Sequence, residues 1–283
     1  MKKNVELPDR VVLVAGANRP VGRAIADLFG RSGASLILPV HDDWPDSTAE
    51  MERQFDAAGY DYLCLPCDLT RDEQVEQLLE QTERNYHTLH YLINNIERGG
   101  MPVVHGSYDK PVNRGQWDLE FDVTVKAKWT LYHHAIKLMK NSPGGAVINL
   151  SSIAARTGRS GPASILFSDG FSAANRAVTS FTRQWAREAA PTIRVNEIML
   201  GLCTGRHGEE TRGWSSMTGG HQTALLDHTL LKRTAEPYEL AELVYFLAVK
   251  ATYMTGSTVV YDGGYLLGAD AAGTMPPGML TEP

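Results

Sequence analysis

The sequence predicts an α/β protein: one Rossmann-type, doubly wound parallel sheet in a single domain. Three observations carry this. Short β-branched apolar runs alternate with amphipathic stretches almost from the start. The intervening helices have 10 or more residues, which suits crossover connections between parallel strands rather than hairpins. A glycine-containing turn joins the first strand to the first helix.

Taken in order, "RVVLVAG" is the first strand, and "VGRAIADLFGRSG" a helix closed by Gly33. "ASLILPV" and "YDYLCLPCDL" are the second and third strands, with no helix assigned between them. Thr70-Arg71-Asp72-Glu73 reads as a capping box opening the helix "DEQVEQLLEQTERNY". "LHYLINN" is the fourth strand, followed by one long helix, "WDLEFDVTVKAKWTLYHHAIKLMK". "GGAVINLSS", the helix Phe171 to Ala190 and "TIRVNEIML" come next. The helix "EPYELAELVYFLAVK" and the strand "GSTVVYDGG" complete the sheet. Residues 1–267 form the domain by this reading. Residues 202–230, rich in Gly, Thr and Ser, read either as a substrate lid or as a variable loop, and residues 268–283 either as a subunit-contacting tail or as a frayed end.

Composition narrows the function. A net charge of −6 gives no electrostatic reason to expect nucleic acid or an anionic membrane. No run approaches the roughly 18 apolar residues of a membrane helix, and "MKKNVELPDR" is no secretory signal. A cytoplasmic protein is the expectation. Cys64 and Cys67 form a C-x-x-C, but in an extended run, where neither a redox pair nor a zinc site is expected. His133 and His134 are adjacent on a helix, so they cannot share one face, and no metal site is expected.

Ligands of such a sheet bind at the carboxyl ends of the strands. The first turn, "AGANRPVGRA", supplies Gly16 and Gly22 there, with Pro20 where a middle glycine is usual. "CDLT" closes the third strand, "NN" the fourth and "INLSS" the fifth. "RVNEI" lies in the sixth, and "TGSTVVYDGG" ends the series. In this order and spacing the chain resembles the short-chain dehydrogenase/reductase family over nearly its whole length. That resemblance implies an NAD(H) or NADP(H) cofactor and an oligomer, commonly a tetramer. It puts Gly16, Asn18, Arg19 and Gly22 around the diphosphate and adenosine ribose, Asp68 and Leu69 beside the adenine, and Asn94 near the cofactor ribose. Val40, followed by His41, stands where NAD-preferring members carry an acid, and Arg19 where NADP-preferring members carry a cation. NADP(H) is therefore favoured over NAD(H), with Asp42 and Asp43 as nearby complications. Pro20 removes an N–H donor and adds bulk at the phosphate turn, although pteridine reductases tolerate a non-glycine there. Glu97 replaces a glycine beside the nicotinamide ribose, and Leu200 a proline after the sixth strand.

The family's chemistry needs a tyrosine acid, a lysine that lowers its pKa, a serine and an asparagine. Ser152 matches the serine, while Thr124, Phe171 and Asn175 occupy the asparagine, tyrosine and lysine positions. No local shift restores the pair: no tyrosine lies between Tyr132 and Tyr238, and no lysine between Lys140 and Lys232. Asp169, a carboxyl to be protonated by burial, is a substitute acid on this reading, with Ser168 beside it. The alternative for Asp169 is helix capping or turn formation. Three functions stay open. One is a catalytically silent subunit paired with an active paralogue, as in certain hydroxyacyl-CoA dehydrogenases. Another is an NADP(H)-dependent carbonyl or alcohol oxidoreductase with a non-standard proton donor. The third is a nucleotide-binding sensor or non-redox enzyme.

Overall fold

The computed structural model describes residues 6–41, 45–96, 111–142, 144–206, 212–215 and 217–268. Seven strands form one parallel sheet: β1 (Val11–Val14), β2 (Ser35–Val40), β3 (Tyr62–Pro66), β4 (Tyr91–Asn94), β5 (Gly145–Ser152), β6 (Ile193–Leu200) and β7 (Thr258–Tyr261). Their order is β3-β2-β1-β4-β5-β6-β7, so the direction of winding reverses between β1 and β4.

Alternation of side chains builds a core on each face. Val12 and Val14 of β1 enter one cluster with Leu36, Leu38, Ile93 and Ile148. Val11 and Leu13 enter the other with Ile37, Leu92 and Val147. Helix α1 (Pro20–Arg31) packs on the first face and offers it Val21, Ile25, Ala26 and Phe29. Helix α2 (Pro45–Ala58) corrects the sequence reading, which assigned no helix there. Only Met51 and Phe55 are buried along its 14 residues, so its apolar stripe is too thin to stand out.

Helix α3 (Asp72–Tyr86) covers the second face, but its capping box does not form. Arg71 is the N-cap, and the Thr70 hydroxyl donates to Asp68 Oδ1 at 2.6 Å instead. The long helix expected from Trp117 begins earlier and is broken in register: α4 (Pro111–Glu120) passes through a π-helical turn (Phe121–Lys126) into α5 (Ala127–Met139). After β5 come α6 (Ala154–Thr157), a 3₁₀ turn (Pro162–Ile165) and α7 (Asp169–Ala189). Short α8 (Arg212–Ser215) and α9 (Gly219–His228) follow β6, and α10 (Pro237–Tyr245) returns to pack on α1.

One buried carboxylate pins this half of the sheet. Glu197 of β6, fully buried, accepts from the hydroxyls of Ser151 on β5, Thr179 on α7 at 3.0 Å and Thr258 on β7 at 2.7 Å. Three neutral donors on three elements fix the height of α7 over the strand ends.

Candidate functional site

Gly16, in the turn after β1, has φ +70, and a Cβ there would lie 3.0 Å from Asn95 O. Gly22 packs tighter still: a Cβ would come 2.1 Å from Gly16 O. Both glycines let α1 start hard against the first turn. Arg19 is the N-cap of α1, with extended backbone and no side-chain cap, and Pro20 is its first residue. Asn18 is buried, its Nδ2 donating to Thr48 Oγ1 at 3.0 Å and its carbonyl accepting from Arg23 and Ser47. The turn is thus tied to α2 by groups that sequence reading did not single out.

On the adenine side, His41 is exposed at the end of β2 and Leu69 is half-buried against the second core. Burial pushes the Asp68 carboxyl up, but the hydroxyl and N–H of Thr70, with His41 and Arg71, outweigh it and hold it below its ordinary value. Asp42, Asp43, Glu97 and the tail beyond Gly268 lie outside the described residues. So does part of the expected lid, residues 207–211 and 216.

At the other end, Ser152 is fully buried at the tip of β5, its Oγ accepting from Ala154 N–H at 3.2 Å. Phe171 is 4% exposed and stacks on Phe167 at 5.5 Å. Around them Ile153, Ala163, Met199, Leu202, Leu225 and Tyr265 close an apolar cluster above the strand ends. One turn along α7, Asn175 is fully buried and spends its Nδ2 on Phe171 O at 3.0 Å. Its Oδ1 has no hydrogen-bond partner among the described residues, and neither has Thr124 Oγ1 in the π turn. A lysine would place a charged ammonium with three donors here, whereas this amide is neutral, spends an N–H on Phe171 O and leaves its oxygen without a partner among the described residues.

Asp169 does not fill the gap. Its side chain is 71% exposed, 3.8 Å from Arg159, so the buried carboxyl expected from the sequence is not formed. Ser168 provides the cap of α7, accepting from Phe171 N–H at 3.0 Å.

Two buried cations went unnoticed in the sequence. Lys128 lies one turn beyond Thr124, fully buried, and donates to Ile96 O. Its spacing, i+4 from a site residue beside the core residues Ala127 and Leu131, was the available signal. Arg206, 5% exposed, comes from the loop after β6 and donates to Asn95 Oδ1. Asn94 donates to Asn149 Oδ1 at 3.3 Å, and Asn149 to Thr182 Oγ1 at 2.9 Å. Asn94 Oδ1, like the two oxygens above, has no partner among the described residues.

The C-x-x-C is inert: burial pushes Cys64 up to about 12 and Cys67 up to about 11, far from thiolate chemistry. His133 sits against Trp129 while His134 pairs with Asp72 at 2.9 Å. No group of metal-ligating side chains occurs among the described residues, and no described helix is long and apolar enough to cross a membrane.

A dinucleotide along the strand ends must satisfy both ends of this crest. The three oxygens without a partner among the described residues, Asn94 Oδ1, Thr124 Oγ1 and Asn175 Oδ1, are buried rather than presented to a ligand. The diphosphate seat does not suit its group, because Pro20 offers no N–H there and the loop after β6 packs onto the first turn so closely that a Cβ on Gly205 would lie 2.6 Å from the Pro20 ring. As they stand, these residues do not fit the whole cofactor.

The family described as enoyl-(acyl carrier protein) reductase matches residues 15–266. Cyclopentanol dehydrogenase of Comamonas testosteroni is 30% identical over 267 residues, 91% of this chain and 97% of that one. A Sinorhizobium fredii protein, described as an uncharacterized short-chain type dehydrogenase/reductase, is also 30% identical over 92% of this chain. The chain spans only 44% of that relative's length. A crystal structure of a Burkholderia xenovorans protein, titled a short-chain dehydrogenase/reductase, superposes with a TM-score of 0.78 at 25% identity, covering 92% of this chain and 98% of that one.

Proposed function

The chain belongs to the short-chain dehydrogenase/reductase family, and on that premise we propose that it has no redox turnover of its own and serves as a structural subunit of a dehydrogenase or reductase complex. The observation that carries this is the seat of Phe171. A buried, stacked ring stands at the acid's position, and the next turn's amide is bound to that residue's own carbonyl. Neither group moves a proton, and Asp169 faces solvent.

The partner reading has support on the outer face of α5 and α7. Trp129, 45% exposed, begins a row of rings that runs through His133 and Trp185 to Phe181. An exposed indole on a helix face is suited to subunit contact. The partner we infer is an active paralogue of similar size, in a tetrameric, cytoplasmic assembly acting on a substrate of the hydroxyacyl-CoA kind. Family members use NAD(P)(H). Arg19 and the absence of an acid at Val40 make NADP(H) the form this turn would favour.

Native mass spectrometry of the untagged protein from its own source tests the proposal. A mixed assembly with a second, similarly sized subunit is the expected result. A homo-oligomer carrying bound dinucleotide overturns it in favour of an NADP(H)-dependent oxidoreductase, for which the retained Ser152 is the best remaining polar group.

A further inference from the structure

The crevice where the winding of the sheet reverses, between the ends of β1 and β4, is filled from within the chain. On one wall the pyrrolidine of Pro20 stands in the first turn, packed against Gly205 of the loop after β6. That loop is anchored to the body, since Thr204 N–H donates to Ala235 O at 2.9 Å and Ala235 N–H to Leu202 O at 3.0 Å. Gly205 adopts φ +72, a conformation that brings its backbone flat against the ring without a Cβ in the way. On the other wall Asn95 lies beside Gly16, its Nδ2 3.4 Å from the place of a Cβ on that glycine. The Asn95 Oδ1 then accepts from the Arg206 guanidinium, which is 5% exposed. Side chains from three strand ends thus meet over the start of α1, where a phosphate would need open backbone N–H groups and a free approach.

We infer that residues 203–206 occupy the diphosphate seat of this fold, so that the isolated chain does not bind NAD(P)(H), and that the Arg206–Asn95 bond together with the Pro20–Gly205 contact holds the seat shut. The buried guanidinium holds Asn95 by a charge-assisted bond, so removing either side of that bond weakens the closure. The two contacts act on opposite walls, and relieving both opens the seat more than relieving either. This closure concerns nucleotide binding. It deepens the silent-subunit reading and rests on the fold and family, not on the loss of the proton donor.

The test is calorimetric titration of the full chain with NADPH and with NADH, in the wild type and in Pro20→Gly, Arg206→Ala and the double variant. The wild type is expected to show no saturable heat up to about 1 mM ligand, the weak limit of useful affinity. The double variant is expected to gain saturable binding at least about tenfold tighter than that limit. Circular dichroism guards against a variant that unfolds. Asn95→Ala, which removes only the acceptor, gives a second route to the same opening. Wild-type binding in the micromolar range overturns the inference, as does a set of folded variants that gain nothing. Turnover of a carbonyl substrate by the wild type with NADPH would sink both readings, whereas wild-type binding without turnover sinks this one and leaves the subunit reading to be decided by the composition of the assembly.

Discussion

The two halves of the crest of strand ends have diverged in opposite directions. Over β5 and β6 the surface that should deliver a proton has become hydrophobic core, with Phe167, Phe171, Met199 and Tyr265 all nearly inaccessible. Over β1 and β4 the surface stays polar, but its groups face one another: Asn18 binds Thr48, and Asn95 binds Arg206. The first half is apolar and buried. The second keeps hydrogen-bonding capacity and directs it inward. The position of the proton donor and the first turn therefore rest on separate side chains, Phe171 and Asn175 on one side and Pro20, Asn95 and Arg206 on the other, and they can be perturbed one at a time.

The largest effect belongs to the polar half. Gly22→Ala would set a methyl 2.1 Å from a backbone oxygen that cannot retreat. We expect destabilisation beyond about 4 kcal/mol, seen as loss of the urea transition or of soluble protein. A mild shift in midpoint would mean that the first turn is not packed as described. In the apolar half, Phe171→Ala should cost about 3–5 kcal/mol by equilibrium denaturation, as deletion of a buried ring does. Phe171→Tyr should cost about 1–3 kcal/mol, the price of a hydroxyl placed among apolar side chains. A tyrosine tolerated without cost would show that the cluster is open to water, and the comparison would fail.

At the border of the two halves, Asn175→Leu should change the melting temperature little or raise it. It trades one local bond and one unpartnered oxygen for apolar volume, a net within about 1 kcal/mol. A large loss would reveal that the oxygen holds a bound group. The smallest effect is at Asp68, whose carboxyl is held below its ordinary value in the folded chain. Its contribution is present above the unfolded pKa of about 3.9 and fades as pH falls through the lower folded value. Asp68→Asn should therefore be less stable than wild type near neutrality, with the gap closing below about pH 4 in matched melts.

The sheet was legible because its strands are apolar and β-branched and its turns carry family motifs in register. Helix α2 was not, since a helix that buries only Met51 and Phe55 has almost no periodic signal. The expected capping box failed for a local reason. Asp68 competes for the Thr70 hydroxyl, and a true box forms instead at Glu236 and Glu239. A π turn leaves no mark in sequence, so Thr124 was placed by motif while the break in the helix around it went unread. Degenerate positions such as Phe171 and Asn175 were readable as residue types. The contacts that define the site, Arg206 with Asn95 and Gly205 with Pro20, join segments more than a hundred residues apart. Charged residues in a loop read as solvated until the fold is in hand.

The contact between Gly205 and Pro20 also constrains the order in which this sequence can change. A side chain at position 205 would meet the Pro20 ring at 2.6 Å and would have to adopt φ +72. Any larger residue there is barred until the proline has gone. Replacing the proline alone leaves a glycine that still presents no side chain to a ligand. The two positions are coupled: each accommodates the other's present state, and a side chain at position 205 has to follow the replacement of the proline.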